Sequence, residues 1–105
     1  MKEITAEELK KWYDENRDFQ LIDVREEHEY ETGNLNGKLI PLGEILNRHN
    51  EIDKDKPVVI HCRSGARSAT AINLLEKQFN YTNLINLQGG ILAYSRNIDP
   101  SIHVI

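Results

Sequence analysis

The chain holds a single cysteine, a single tryptophan and a single methionine among its 105 residues. One cysteine closes no internal disulfide and builds no multi-cysteine zinc site. It does allow a reactive thiol in a reducing compartment, so the cytoplasm is the expected location. No apolar run approaches the ~20 residues that a membrane span needs. The opening MKEITAEELKKW has no apolar stretch of the kind a secretory leader carries. Positive charge is also in deficit: 13 Lys and Arg stand against 17 Asp and Glu, a net charge of -4. That excludes the basic stripe of a nucleic-acid binder and disfavours an anionic membrane surface. Repeats, low-complexity tracts and Gly/Ser linkers are missing as well. One domain over residues 1–105 is expected, beginning with Met and acting on its own.

What is present alternates. Thr5 followed by Glu8 is a capping-box pattern, and residues 6–15 then read as a helix with Leu9, Trp12 and Tyr13 on its apolar side. Trp12 reads as a packing residue. QLIDV (20–24) suits a buried strand, and the acidic run EEHEYE (26–31) a solvated helical face that stops at Gly33. KLIPL (38–42) is extended, and GEILNRHNE (43–51) a weak helical turn. VVIHC (58–62) is the clearest strand. Residues 66–79 read as a helix with Ala69, Ile72, Leu75 and Phe79 at helical spacing, stopped by Asn80. NLINL (83–87) is another strand, and Gly89-Gly90 opens a last short helix. Strands alternating with helices predict an α/β domain. Its central sheet is expected to be mainly parallel, with four or five strands and helices on both faces.

Ligands of open α/β sheets sit outside the carboxyl ends of the strands, and Cys62 lies at such an end. HCRSGARS (61–68) carries the chain from that strand through a glycine into a helix. A turn of this kind aims several backbone N–H groups at one point, and the helix adds its unpaired N-terminal donors. With Arg63 and Arg67, these groups favour thiolate over thiol. The thiolate is the nucleophile. A packing cysteine is the bland alternative, but two arginines, two serines and a glycine within six residues make poor core. His61 reads as holding a backbone group at the strand end. His28, His49 and His103 show no metal spacing, and no metal or cofactor is expected.

Two enzyme classes use such a loop. Cysteine phosphatases carry H-C-x5-R-[ST], in which the loop wraps a tetrahedral phosphate and the arginine grips two oxygens. Here Cys62 and Arg67 are separated by four residues, a C-x4-R spacing. The shorter ring closes on a smaller anion, and a terminal persulfide sulfur fits where a phosphate crowds. The loop CRSGARS resembles that of rhodanese-like sulfurtransferases. LIDVREEHEY (21–30) resembles that family's "DVR…EY" segment, and GNLNGKLIPLGEI (33–45) its "GHIPGAINIP" segment. Residues 58–79 resemble its catalytic strand, loop and helix, and NLINLQGGILAYS (83–95) its "V..L.GG..AW" ending. Asn34, Asn36 and Tyr94 depart from the usual His, Pro and Trp. CRSGARSA with GGILAYSRNIDPS is also similar to the C-terminal rhodanese domain of adenylyltransferases that serve molybdopterin and thiamin sulfur carriers.

The resemblance implies that Cys62 takes a sulfane sulfur from a small anionic donor such as thiosulfate and becomes a persulfide. A thiol, cyanide or a sulfur-carrier protein then accepts the sulfur. By the same resemblance the amides of Arg63, Ser64, Gly65, Ala66, Arg67 and Ser68 cradle the persulfide, and the two arginines draw in anionic donors. Asp23 and Arg25 match "DVR" and are expected to brace the loop. Two readings compete: a cysteine phosphatase or arsenate reductase, and a non-catalytic interaction or sensing module.

Overall fold

A computed structural model describes all residues, 1–105. The strands are β1 (Glu3–Ile4), β2 (Gln20–Asp23), β3 (Lys38–Leu39), β4 (Val58–His61) and β5 (Leu84–Leu87). The helices are α1 (Ala6–Asp14), α2 (Glu27–Thr32), α3 (Ala66–Phe79) and α4 (Gly90–Asn97). Two short 3-10 turns, Leu42–Glu44 and His49–Glu51, occupy the weakly helical stretch. All strand pairs are parallel, in the order β1-β5-β4-β2-β3.

The period of two along each strand divides the core between the sheet's faces. Ile22, Val58 and Ile60 point to one face and pack with Ala71, Ile72 and Leu75 of α3. Leu21, Val59 and Leu87 point to the other and pack with Leu9 of α1 and Ile91 and Tyr94 of α4. Helices therefore cover both faces, as the alternating pattern predicts. No helix is long and apolar enough to cross a membrane.

Local chemistry explains the boundaries. Thr5 accepts from the Glu8 amide and Glu8 reaches back to the Thr5 amide, closing the expected capping box. Asn80 ends α3 in the left-handed region at φ 58°. Asn36 is also left-handed, at φ 62°. A proline, fixed near -65°, could not stand there, so this departure from the usual segment follows from the backbone. Within α3 it is Ala71 that is fully buried, while Ala69 is only half-covered. Trp12 is half-buried, edge-on to Phe19 at 5.4 Å between ring centres, whereas Tyr13 is 40% exposed and donates to the Leu35 carbonyl.

The two-residue β1 is absent from the sequence reading. It is too short for any periodicity, and its pairing partner, β5, lies at the far end of the chain.

Candidate active site

The carboxyl ends of β2 and β4 lie side by side, with Asp23 in register with His61. Cys62 follows directly and is 1% exposed. The turn after it is possible because Gly65 takes φ +113°, a region closed to most side chains. That turn brings the Gly65 N–H to 3.0 Å from Cys62 Sγ. Ser68, in the first turn of α3, sets its Oγ 3.4 Å from the same sulfur. Burial pushes the thiol's pKa up. Against it stand the Ser68 hydroxyl, where that hydroxyl donates to the sulfur, and the backbone N–H groups of Ser68, Gly65 and Ser64, and the net direction is down.

The carbonyls on the loop's outer side are held by α4. Ile91 N–H donates to Cys62 O at 2.9 Å and Leu92 N–H to Arg63 O at 3.1 Å. With the carbonyls tied there, the loop's N–H groups are left to face the sulfur. Gly90 makes this docking possible: it takes φ +63°, and a Cβ on it would overlap the carbonyls of Arg63 and Cys62. The Gly-Gly pair is therefore a contact surface for the loop as well as a turn.

The two arginines behave differently from the sequence expectation. Arg67 is paired within the protein: its two terminal nitrogens donate to the two Glu29 oxygens at 2.7 and 2.9 Å. Glu29, in α2, also accepts from the Glu26 amide at 3.0 Å. The Arg67 guanidinium, helped by that amide, overcomes partial burial and lowers the Glu29 pKa from 4.5 to about 2. So the acidic run is not wholly a solvated face, because Glu29 is 8% exposed and turned inward. Arg63 is exposed, and its Nε donates to the Ile105 main-chain oxygen at 2.8 Å. Ser64 and Ala66 are exposed on the outer rim. The lowering of the thiol's pKa thus comes chiefly from hydrogen bonds within the loop.

Asp23 and Arg25 are fully buried and paired, with Arg25 Nη2 2.8 Å from Asp23 Oδ2. Arg25 also donates to the carbonyls of Glu29 at 3.3 Å and Gly33 at 2.8 Å. The pair ties the end of β2 to α2, and α2 in turn holds Arg67. His61 is fully buried, and burial, only partly offset by Asp23, depresses its pKa and keeps the ring neutral. Its Nδ1 lies 3.3 Å from Cys62 O, in keeping with a strand-end histidine bonded to backbone.

Two residues in this constellation were not expected at the site, although Glu29 falls on the "EY" of the segment 21–30. Glu29 had one signal, its place three residues after Glu26 at a helix start. Asn86, a polar residue in the apolar strand β5, had another, since Asn is depleted in strands. The largest cleft, about 500 Å³ and lined by Trp12, Phe19, Asn36 and Lys38 among others, contains no residue of the 62–68 loop.

A family model, the rhodanese-like domain, matches residues 5–97. The chain belongs to the rhodanese-like domain family. A sulfurtransferase of Allochromatium vinosum is 40% identical over 101 residues, covering 95% of this chain and 94% of that protein. A probable adenylyltransferase/sulfurtransferase, MoeZ of Mycobacterium tuberculosis, is 33% identical over 102 residues, and the matched part is only 26% of that longer protein. Among solved structures, a rhodanese-like domain protein from Staphylococcus aureus superposes with a TM-score of 0.84 at 34% identity, covering 100% of this chain and 99% of that one. These likenesses support sulfur transfer as the general activity and do not favour the phosphatase or sensing readings.

Proposed function

We propose that the protein is a transferase that carries a sulfane sulfur on Cys62 between a small anionic or persulfide donor and a nucleophilic acceptor. The observation that carries this reading is the thiol at the end of β4 with the Gly65 N–H 3.0 Å from its sulfur, inside a C-x4-R loop. In the first half-reaction the Cys62 thiolate attacks the outer sulfur of thiosulfate. The donor's S–S bond breaks, sulfite leaves with the bonding electron pair, and Cys62 becomes a persulfide. In the second, a thiolate or cyanide attacks the outer sulfur and Cys62 leaves as thiolate. No external oxidant or reductant is needed, and one thiol completes the cycle.

The loop amides are assigned the negative charge, first on Cys62 and then on the outer sulfur. Asp23 and Arg25 are assigned the bracing of the loop through α2. Arg67 is assigned a place in the loop's electrostatic balance with Glu29 rather than direct capture of the donor. None of the surface clefts is lined by the 62–68 loop, which supports a small anion, or a persulfide presented by another protein, as the donor. The kinship with MoeZ makes a sulfur-carrier protein a further acceptor to test. A reducing compartment such as the cytoplasm suits the free thiol.

Intact-protein mass after incubation with thiosulfate tests the reading. One added sulfur atom is expected on the wild type, absent in Cys62→Ser and lost with dithiothreitol. If neither thiosulfate nor a low-molecular-weight persulfide adds sulfur, while an aryl phosphate is hydrolysed, the phosphatase reading takes its place.

A further inference from the structure

Asn86 is 5% exposed and lies in the middle of an otherwise apolar strand. Burying a side-chain amide is costly unless both ends are bonded. Here both are: Nδ2 donates to the Gly65 carbonyl at 3.2 Å, and Oδ1 accepts from Ser68 Oγ at 2.6 Å. The orientation of the amide is not arbitrary. Turned over, it would set its oxygen against the Gly65 carbonyl oxygen, two acceptors face to face. Asn86 therefore presents an acceptor to Ser68.

A hydroxyl has one proton. Three acceptors surround that of Ser68: Asn86 Oδ1 at 2.6 Å, Gly65 O at 3.1 Å and Cys62 Sγ at 3.4 Å. The nearest is Asn86. With the proton directed there, Ser68 turns lone pairs toward Cys62 and can accept from its S–H. It then cannot donate to the thiolate.

We propose that Asn86 is a positioning residue that holds the Ser68 proton, so that Ser68 faces Cys62 as an acceptor and backbone amides alone hold the sulfur anion. The consequence is a limit on how acidic the thiol becomes. An attacking thiol works best with a pKa near the ambient pH, because a more acidic one loses intrinsic nucleophilicity. Other charges near the sulfur are accounted for separately. Arg67 of α3 is balanced by Glu29 of α2, Asp23 and Arg25 at the end of β2 are paired with each other, His61 is neutral, and Arg63 is exposed. None of these groups hydrogen-bonds to the Ser68 or Asn86 side chain.

The test is the pH dependence of Cys62 alkylation by iodoacetamide in wild type, Ser68→Ala, Asn86→Leu and the double variant. Beside an intact Asn86, Ser68→Ala is expected to leave the midpoint unchanged or move it down, because an acceptor has been removed. In the Asn86→Leu background the same change is expected to move the midpoint up, because there the hydroxyl has only the neutral Gly65 carbonyl at 3.1 Å competing with the charged sulfur and can donate to the thiolate. A midpoint raised by Ser68→Ala in the presence of Asn86 overturns the proposal. So does an identical effect of Ser68→Ala in both backgrounds, the result a merely structural Asn86 would give. If Asn86→Leu does not fold, the Ser68→Ala arm decides alone. The proposal rests on Cys62 as the sulfur-carrying thiol, but alkylation needs no sulfur donor. Failure of persulfide formation and failure of this proposal are therefore distinguishable.

Discussion

Glu29 and Arg67 meet across the site from positions 38 residues apart, each offering two atoms to the other at 2.7 and 2.9 Å. The pair makes the loop's inner arginine part of a neutral unit. Truncating Arg67 would therefore leave the Glu29 carboxylate unpaired at the edge of the loop. Arg67→Ala is expected to raise the Michaelis constant for thiosulfate about tenfold, equivalent to about 1.4 kcal/mol. The double variant Glu29→Gln/Arg67→Ala is expected to recover most of that loss. Steady-state kinetics of the two variants check it: equal impairment would mean that Arg67 contacts the donor directly.

The same pair gives the protein an acid-sensitive contribution to stability. The Glu29 pKa is lowered from 4.5 to about 2. A depressed carboxyl pKa stabilises the fold above the unfolded-state value, and the gain disappears as pH falls through the folded-state value. Stability is expected to decline between those two pH values by at most about 3 kcal/mol from this group. Urea titrations over that range should show a shallower decline for Glu29→Gln than for wild type.

Asp23→Ala leaves the Arg25 guanidinium buried and without its carboxylate partner. Removing one member of such a pair typically costs about 3–5 kcal/mol. Against a total stability of roughly 5–15 kcal/mol for a domain, that brings the fold close to its limit. Denaturant melts should show the loss. The fraction that stays folded is expected to take up sulfur at close to the wild-type rate, since neither residue is assigned contact with the donor.

Gly90→Ala is expected to be more harmful than an ordinary glycine substitution. The left-handed backbone alone costs on the order of 1–3 kcal/mol for another residue. In addition, the methyl group would overlap the Cys62 and Arg63 carbonyls and push α4 off the loop. Both a lower Tm and slower sulfur uptake are expected, whereas Gly43→Ala, with open space around its Cβ position, should change neither.

Much of this arrangement was legible in the sequence because its signals are local. The Thr5–Glu8 box, the apolar run before Cys62 and the glycine after it each depend on residues a few positions apart. The strand, loop and helix that carry the thiol could be read for that reason, and the C-x4-R count separated a small ring from a larger one. The partners of the loop could not be read. Glu29 lies in an acidic run whose other glutamates, Glu26, Glu27 and Glu31, are exposed, and only the approach of α2 to α3 turns this one inward. The arginines looked like donor-binding cations because composition shows a charge but not its partner. Asn86 was hidden for the same reason, since its two bonds reach back 18 and 21 positions to Ser68 and Gly65.

Strand β1 has a consequence for the order of assembly. Glu3 and Ile4 pair with Asn86 and Leu87, and the Asn86 N–H bonds to Lys2 O at 2.9 Å. Residues 2–4 must therefore wait for residues 86 and 87, far later in the chain, before they find their place. Until then β5 presents an unpaired edge, the kind of surface that invites pairing with another chain. Closing so long a loop is entropically slow. The docking of β1 is thus expected to be a late event in folding, and the strand that carries Asn86 reaches its final frame only when β1 has met it.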